Sequence, residues 1–252
     1  MFRVNKTLVS IGLFCLSFGA SLGFDEVHAN TSAYRFPGER FEEAQNRSQR
    51  NTPSLESDLE SEALTASNMA KPLDQLNKHL IPEWPDPKQI QEAFIKIRDD
   101  RFLFLPEENS SPKTISWAYV EDGCSSRAAV ASEHLEEFNL RRPAKLFIFG
   151  ELSLTTPQQG EIFWWYHVAL VVASQGNYYV LDPAVEPSQP LLVEQWAAKI
   201  TSDLSQATLS VCNPFSYAPW SMCYVSGPLE ESSARDEQLD YLRMISSSST
   251  SS

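Results

Sequence analysis

Three side chains in this sequence could together carry acyl-transfer chemistry: Cys124, His167 and Asp182. A cysteine nucleophile needs a thiolate, a base that makes it and a group that orients the base. Cys124 lies in EDGCSSRAAVASEHLEEF, residues 121–138, directly behind Gly123. The stretch reads as a helix that starts at the cysteine. A helix N-terminus carries partial positive charge and unpaired N–H groups, and both favour a thiolate. The same N–H groups can receive the oxyanion of an acyl-transfer intermediate, which makes the backbone N–H of Cys124 the first candidate donor. Gly123 permits close backbone approach. The plainer alternative is a small buried cysteine that merely begins a helix.

Three histidines follow the N-terminal 29 residues: His79, His134 and His167. His79 precedes the expected folded domain. His134 sits on the cysteine's own helix, but ten residues on is about 15 Å away at ~1.5 Å per residue. It cannot serve Cys124 and is expected at the surface. His167 lies inside WWYHVALVVA, an apolar strand, where a titratable group costs free energy unless it is partnered. A histidine satisfied in the core is the commoner use of such a position.

The partner follows from hairpin geometry. WWYHVALVVA and NYYVLDP are strands, rich in β-branched and aromatic residues, joined by a tight turn near Gln175-Gly176. If those two residues form the turn, His167 faces Ala184, and Asp182 is its diagonal neighbour on the same face. If Ser174-Gln175 form it, His167 sits directly opposite Asp182. A three-residue loop puts the two side chains on opposite faces, and the idea fails. Both even registers bring them about 5–8 Å apart. Asp182 before Pro183 is also ordinary chemistry for ending a strand.

The surrounding chain has to position these groups. Residues 1–29 carry Arg3 and Lys6, then the apolar run LVSIGLFCLSFGASLGF, and close on VHA. They read as a secretory signal peptide, which places the protein outside the cell or in the periplasm. Residues 30–85 are largely polar and acidic, and read as a disordered linker or short pro-region. The catalytic domain is expected over 86–228, and a polar, Ser-rich tail over 229–252. Asp86 can cap a helix with Pro87 at its first position. Helix, cysteine-bearing helix and then a run of strands make an α+β fold, with helices packed on an antiparallel sheet.

The chain has 252 residues and a net charge of −13. An acidic chain with no basic cluster argues against nucleic-acid binding. After signal cleavage no stretch is long enough to span a bilayer. Of the four cysteines, Cys15 falls in the signal run. Cys212 and Cys223, separated by NPFSYAPWSM, are the natural disulfide pair in an oxidising compartment. That leaves Cys124 as an odd thiol, either buried or reactive.

DGCSSRA, WYHVAL and LDP, in this order, resemble the bacterial protein-glutaminase family, the protein-glutamine deamidases. The resemblance spans about residues 87–224. It implies a fold related to the transglutaminase and papain-like cysteine enzymes, with the catalytic cysteine at a helix N-terminus. It also implies Cys124 as nucleophile, His167 as general base and acid, and Asp182 as the orienting carboxylate. The substrate would be a glutamine side chain in a protein or peptide, and no metal or organic cofactor is needed. A monomer is expected. The same triad also serves cysteine peptidases and transglutaminase-like acyl transferases. A secreted binding module with a buried free cysteine is the non-enzymatic alternative. Trp117, Trp165 and Tyr166 are candidates for a substrate groove, and Trp117 and Tyr119 for a second oxyanion donor. Arg127 is expected to form a salt bridge with Asp122 or Glu121.

Overall fold

In the computed structural model, which describes residues 32–51, 65–106, 111–224 and 231–249, the chain order is helices first, then strands with one helix among them, then a last helix. The helices before the sheet are α1 (Phe41–Asn51), α2 (Ala66–Met69), α3 (Pro87–Asp99) and α4 (Cys124–Glu136). The strands are β1 (Ala144–Thr156), β2 (Gly160–Ser174), β3 (Asn177–Leu181), β4 (Leu191–Leu192) and β5 (Thr208–Cys212). Helix α5 (Val193–Ile200) follows β4, and α6 (Glu231–Ser249) ends the described chain. This is the expected α+β class. The predicted signal peptide and Cys15 lie outside the described residues.

The strands form one sheet in the order β4-β3-β2-β1-β5, with every neighbouring pair antiparallel. From Trp164 to Ser174 every residue of β2 is buried, with no alternation. Continuous burial means that both faces of this central strand are covered. Helix α4 packs on β2, and α5 packs against β1, β3 and β4. The segment between AKLFIFG and WWYHV extends β1 and β2 into a long hairpin in which Thr156 pairs with Gly160. TISWAYV, which reads in sequence as a strand or an extended lead-in to the cysteine helix, forms no strand and holds a turn at Trp117-Ala118.

Two local expectations hold at atomic level. The Asp86 side chain accepts from Lys88 N at 2.9 Å, with Pro87 opening α3. Ser174 pairs with Asn177, so Gln175-Gly176 is a two-residue turn. Both turn residues have positive φ, 52° and 78°, as the tight hairpin turn that matches strand twist requires. Cys212 and Cys223 form the expected disulfide, which ties the end of β5 to the loop beyond it.

Both ends of the described chain differ from the sequence reading. Residues 33–35 lie as a short extra strand on β2: Arg35 N donates to Phe163 O at 2.8 Å, and Trp165 N to Ala33 O at 3.0 Å. Polarity hid this because backbone, not side chains, carries the pairing. Residues 231–249 are helical rather than an open tail. Gln238, fully buried, donates to Ser126 Oγ at 2.8 Å and accepts from Ser116 N and Oγ. Ala234, Tyr241 and Leu242 are buried on the same helix, but charged and serine residues surround them, so the sequence read as tail.

The last helix also touches the start of the cysteine helix. Gly123 is the N-cap of α4 with φ 75°, and a Cβ built there would lie 2.3 Å from the Tyr241 ring. That ring is stacked on Tyr119, and its hydroxyl donates to Glu237. It cannot swing aside cheaply. Gly123→Ala therefore combines a left-handed backbone penalty with overpacking, and is expected to destabilise by about 3 kcal/mol. Urea unfolding measures this. A loss below about 1 kcal/mol would contradict the contact.

Candidate active site

Helix α4 begins at Cys124, so the backbone N–H of this residue has no acceptor within the helix. The loop before it is held from several sides. Trp164 on β2 donates its indole N–H to the carbonyls of Val120 and Glu121, both at 3.1 Å. The Asp122 carboxylate accepts from Gly123 N at 2.8 Å and from Ala33 N at 3.0 Å. Burial pushes the Asp122 carboxyl up, and hydrogen bonds from Ser32, Ala33 and Gly123 pull against that. The Ser126 hydroxyl closes the turn by donating to Gly123 O at 3.0 Å. Cys124 therefore follows a braced loop, anchored to the sheet and to residues 33–35.

His167 and Asp182 meet as the even hairpin register requires. His167 Nε2 lies 2.8 Å from Asp182 Oδ2. Burial opposes charging of His167, but the Asp182 carboxylate outweighs it and Cys124 adds to the effect, so the imidazole is raised to about 9. Burial likewise works to push Asp182 up. The His167 imidazolium, with a hydrogen bond from Trp196, prevails and holds the carboxyl below its ordinary range. Both shifts favour the ion pair. A buried pair of this kind persists only where further hydrogen bonds satisfy it. Here Trp196 Nε1 donates to Asp182 Oδ2 at 2.9 Å, and Ala184 N donates to Oδ1 at 3.2 Å. Trp164 stacks on the imidazole at 4.7 Å between centroids, which fixes its plane.

With Nε2 committed to Asp182, Nδ1 is the ring nitrogen left over, and it makes no hydrogen bond. Cys124 is the free cysteine among the described residues, and it lies close enough to His167 to help raise the imidazole. Cys124 and Asp182 line one narrow cleft together with Trp117, Arg127, Ala128 and Leu181. The three side chains are only 3%, 1% and 4% exposed in chain order. A substrate side chain therefore reaches the sulfur only once the cleft widens. Chemically, the arrangement offers a thiol, an imidazole beside it and a carboxylate behind the imidazole. Among the described residues, no group of three or more His, Cys, Asp or Glu is placed to hold a metal ion.

Several sequence expectations change here. Trp117 lines the cleft, but Trp165 and Tyr166 are fully buried among other aromatic rings. Their side chains fill space between sheet and helices, and the Tyr166 hydroxyl pairs with Ser125 Oγ. His134 is buried, not exposed: it meets Asp100 at 3.1 Å and stacks on Phe102 at 3.9 Å. It is still far along α4 from Cys124. Arg127 makes no salt bridge with Asp122 or Glu121 side chains; it donates to the carbonyls of Tyr119 and Asp122. Sequence reasoning missed Trp196, 14 residues beyond Asp182. A buried indole needs an acceptor for its N–H, and that demand was the available signal.

Comparison with known proteins returns one consistent neighbourhood. Residues 90–200 match the model of a family described as glutaminase. This segment includes Cys124, His167, Asp182 and Trp196. No curated protein matches the chain. Among solved structures, the chain is similar to the crystal structure of a pro-protein-glutaminase, with 19% identity and a TM-score of 0.46. The likeness covers 70% of this chain and 64% of that one, just under two thirds of its length. It is also similar to the protein-glutaminase of Chryseobacterium proteolyticum, with 21% identity, a TM-score of 0.44, and coverage of 55% of this chain and 77% of that one. A further protein-glutaminase crystal structure shows 21% identity, a TM-score of 0.44, and coverage of 59% and 82%.

Proposed function

We propose that this chain, whose residues 90–200 match the model of a family described as glutaminase, hydrolyses the side-chain amide of glutamine in proteins or peptides, giving glutamate and ammonia. The observation that carries the reading is the buried His167–Asp182 pair set against a free cysteine at a helix start. Cys124 is the nucleophile, His167 the acid and base, and Asp182 the group that orients and charges the imidazole.

The steps follow from the geometry. The Cys124 proton resides on His167 Nδ1, and the thiolate sulfur attacks the amide carbon of the glutamine side chain. A sulfur–carbon bond forms, and the carbonyl π pair moves onto oxygen. The backbone N–H of Cys124 donates to that oxyanion. On collapse the carbon–nitrogen bond breaks, and His167 gives its proton to the departing ammonia. His167, now neutral, takes a proton from water, whose oxygen attacks the thioester. The carbon–sulfur bond breaks, and glutamate leaves with the thiolate–imidazolium pair restored. Asp182 stays ionised throughout and holds Nε2. Trp196 and Ala184 keep the carboxylate from rotating. The predicted signal peptide and the Cys212–Cys223 disulfide support action outside the cytoplasm.

The test is to incubate the protein with casein and measure released ammonia and chain cleavage together. Ammonia without cleavage is the expected result. Cleavage without ammonia would replace deamidation by peptidase action. Ammonia released only when a lysine donor is added would point to acyl transfer.

A further inference from the structure

Arg127 is a buried cation with one arm unused. Its side chain is 2% exposed, yet it stands on α4 three residues after Cys124 and lines the same cleft. Residues three apart share a helix face. One guanidinium nitrogen, Nη1, donates to Tyr119 O at 2.5 Å and Asp122 O at 2.6 Å. These carbonyls lie just before the helix, so the guanidinium folds back toward the helix start, where the Cys124 N–H lies. The other nitrogen, Nη2, is buried and makes no hydrogen bond. A buried unpaired N–H on a cation is costly. The cost is repaid if an anion forms beside it during reaction.

The indole donors near the cleft are committed. Trp117 Nε1 donates to Ile97 O at 2.8 Å, Trp164 Nε1 to the loop carbonyls, and Trp196 Nε1 to Asp182. Tyr119, the remaining sequence candidate, is stacked on Tyr241. We propose that Arg127 Nη2 is the second oxyanion donor, completing with the Cys124 N–H the site that receives the negative oxygen of the tetrahedral intermediate. The proposal rests on the acyl-transfer reading of the Cys124 site. It deepens that reading by assigning a charged side chain to the developing charge.

Arg127→Lys tests it. Lysine keeps the cation and can hold one backbone carbonyl, but it lacks the forked second arm. With N-acetyl-glutaminyl-glycine amide as substrate, kcat for ammonia release is expected to fall about 10²–10³-fold, and KM to stay within about threefold. Alkylation of Cys124 by iodoacetamide forms no oxyanion, so its rate is expected to stay near that of the wild type. An unchanged kcat, a change confined to KM, or equal losses in ammonia release and alkylation would each overturn the assignment. The last outcome would make Arg127 a brace for the loop. A second measurement needs no variant: a crystal structure of the wild-type chain carrying a peptide aldehyde on Cys124. The adduct oxygen is expected within about 3.2 Å of Nη2, and an oxygen out of hydrogen-bond reach sinks the proposal. Failure of the deamidation reading shows separately, as wild-type protein that releases no ammonia. In that case p-nitrophenyl acetate, which also places charge on a carbonyl oxygen at the sulfur, gives the Arg127→Lys ratio. A loss confined to hydrolysis supports the assignment, and equal hydrolysis rates overturn it.

Discussion

Cys124→Ala is expected to abolish ammonia release from casein while leaving the fold intact. The substitution removes one buried sulfur from a position that is small already, and the cavity costs on the order of 1 kcal/mol. Neither the His167–Asp182 bond nor the braces on the preceding loop depend on the thiol. What disappears is the atom that forms the acyl bond. Loss of a nucleophile typically lowers kcat by about 10⁴–10⁶-fold, with the remainder coming from binding and oxyanion stabilisation alone. Cys124→Ser is expected to be nearly as inactive, because a hydroxyl is a far weaker nucleophile than a thiolate at neutral pH. Circular dichroism and a thermal midpoint close to that of the wild type establish that the variant is folded. Activity above about 1% of wild type in a folded Cys124→Ala protein would remove the cysteine from the mechanism, and the proposed function with it.

The site was more legible in the sequence than the packing around it. Strand pairing has a period of two residues, so a two-residue turn at Gln175-Gly176 was enough to bring His167 and Asp182 to one face. Gly123 before Cys124 similarly signalled a helix start that only glycine fits comfortably, since its φ is 75°. What was not legible depends on contacts distant in sequence and made by polar groups. Residues 33–35 add to β2 through backbone bonds, which leave no trace in side-chain pattern. Helix α6 buries Ala234, Tyr241 and Leu242 around a central Gln238 that bonds Ser116 and Ser126, and a glutamine at the centre of that face in a Ser-rich stretch looks like surface. Trp165 and Tyr166 show the converse error. Aromatic residues flanking a reactive histidine resemble a groove, yet a central strand covered on both faces uses them as filling. Arg127 was read through its nearest acidic neighbours in sequence, whereas it bonds to backbone carbonyls and lines the cleft.

The second large effect is expected from Asp182→Asn. Asparagine keeps the shape and can still accept from Trp196, so the hairpin and α5 stay in place. The negative charge is lost. In the wild-type chain that charge is what overcomes burial and raises His167 to about 9. Without it, burial is opposed only by the smaller contribution of Cys124, and the imidazole moves well down from about 9. At pH 7 the ring is then largely neutral. It no longer stabilises the thiolate, and it has no proton ready for departing ammonia. Activity at neutral pH is expected to fall about 10²–10⁴-fold. The pH profile separates this from simple damage. In the wild type, kcat/KM should decline on the alkaline side near pH 9, where the imidazolium loses its proton. In the variant that limb should move down by about 2 units or more. Stability carries the same signature. The raised His167 contributes stabilisation that is full below about pH 6.5 and lost as pH rises through about 9, while the depressed Asp182 contributes above about pH 3.8 and loses its share as pH falls through its lowered value. Denaturant unfolding across pH 2–10 should show both slopes in the wild type, and neither from this pair in the variant. An alkaline limb that stays near pH 9 in Asp182→Asn would mean that another group charges His167, and that the 2.8 Å contact is structural only.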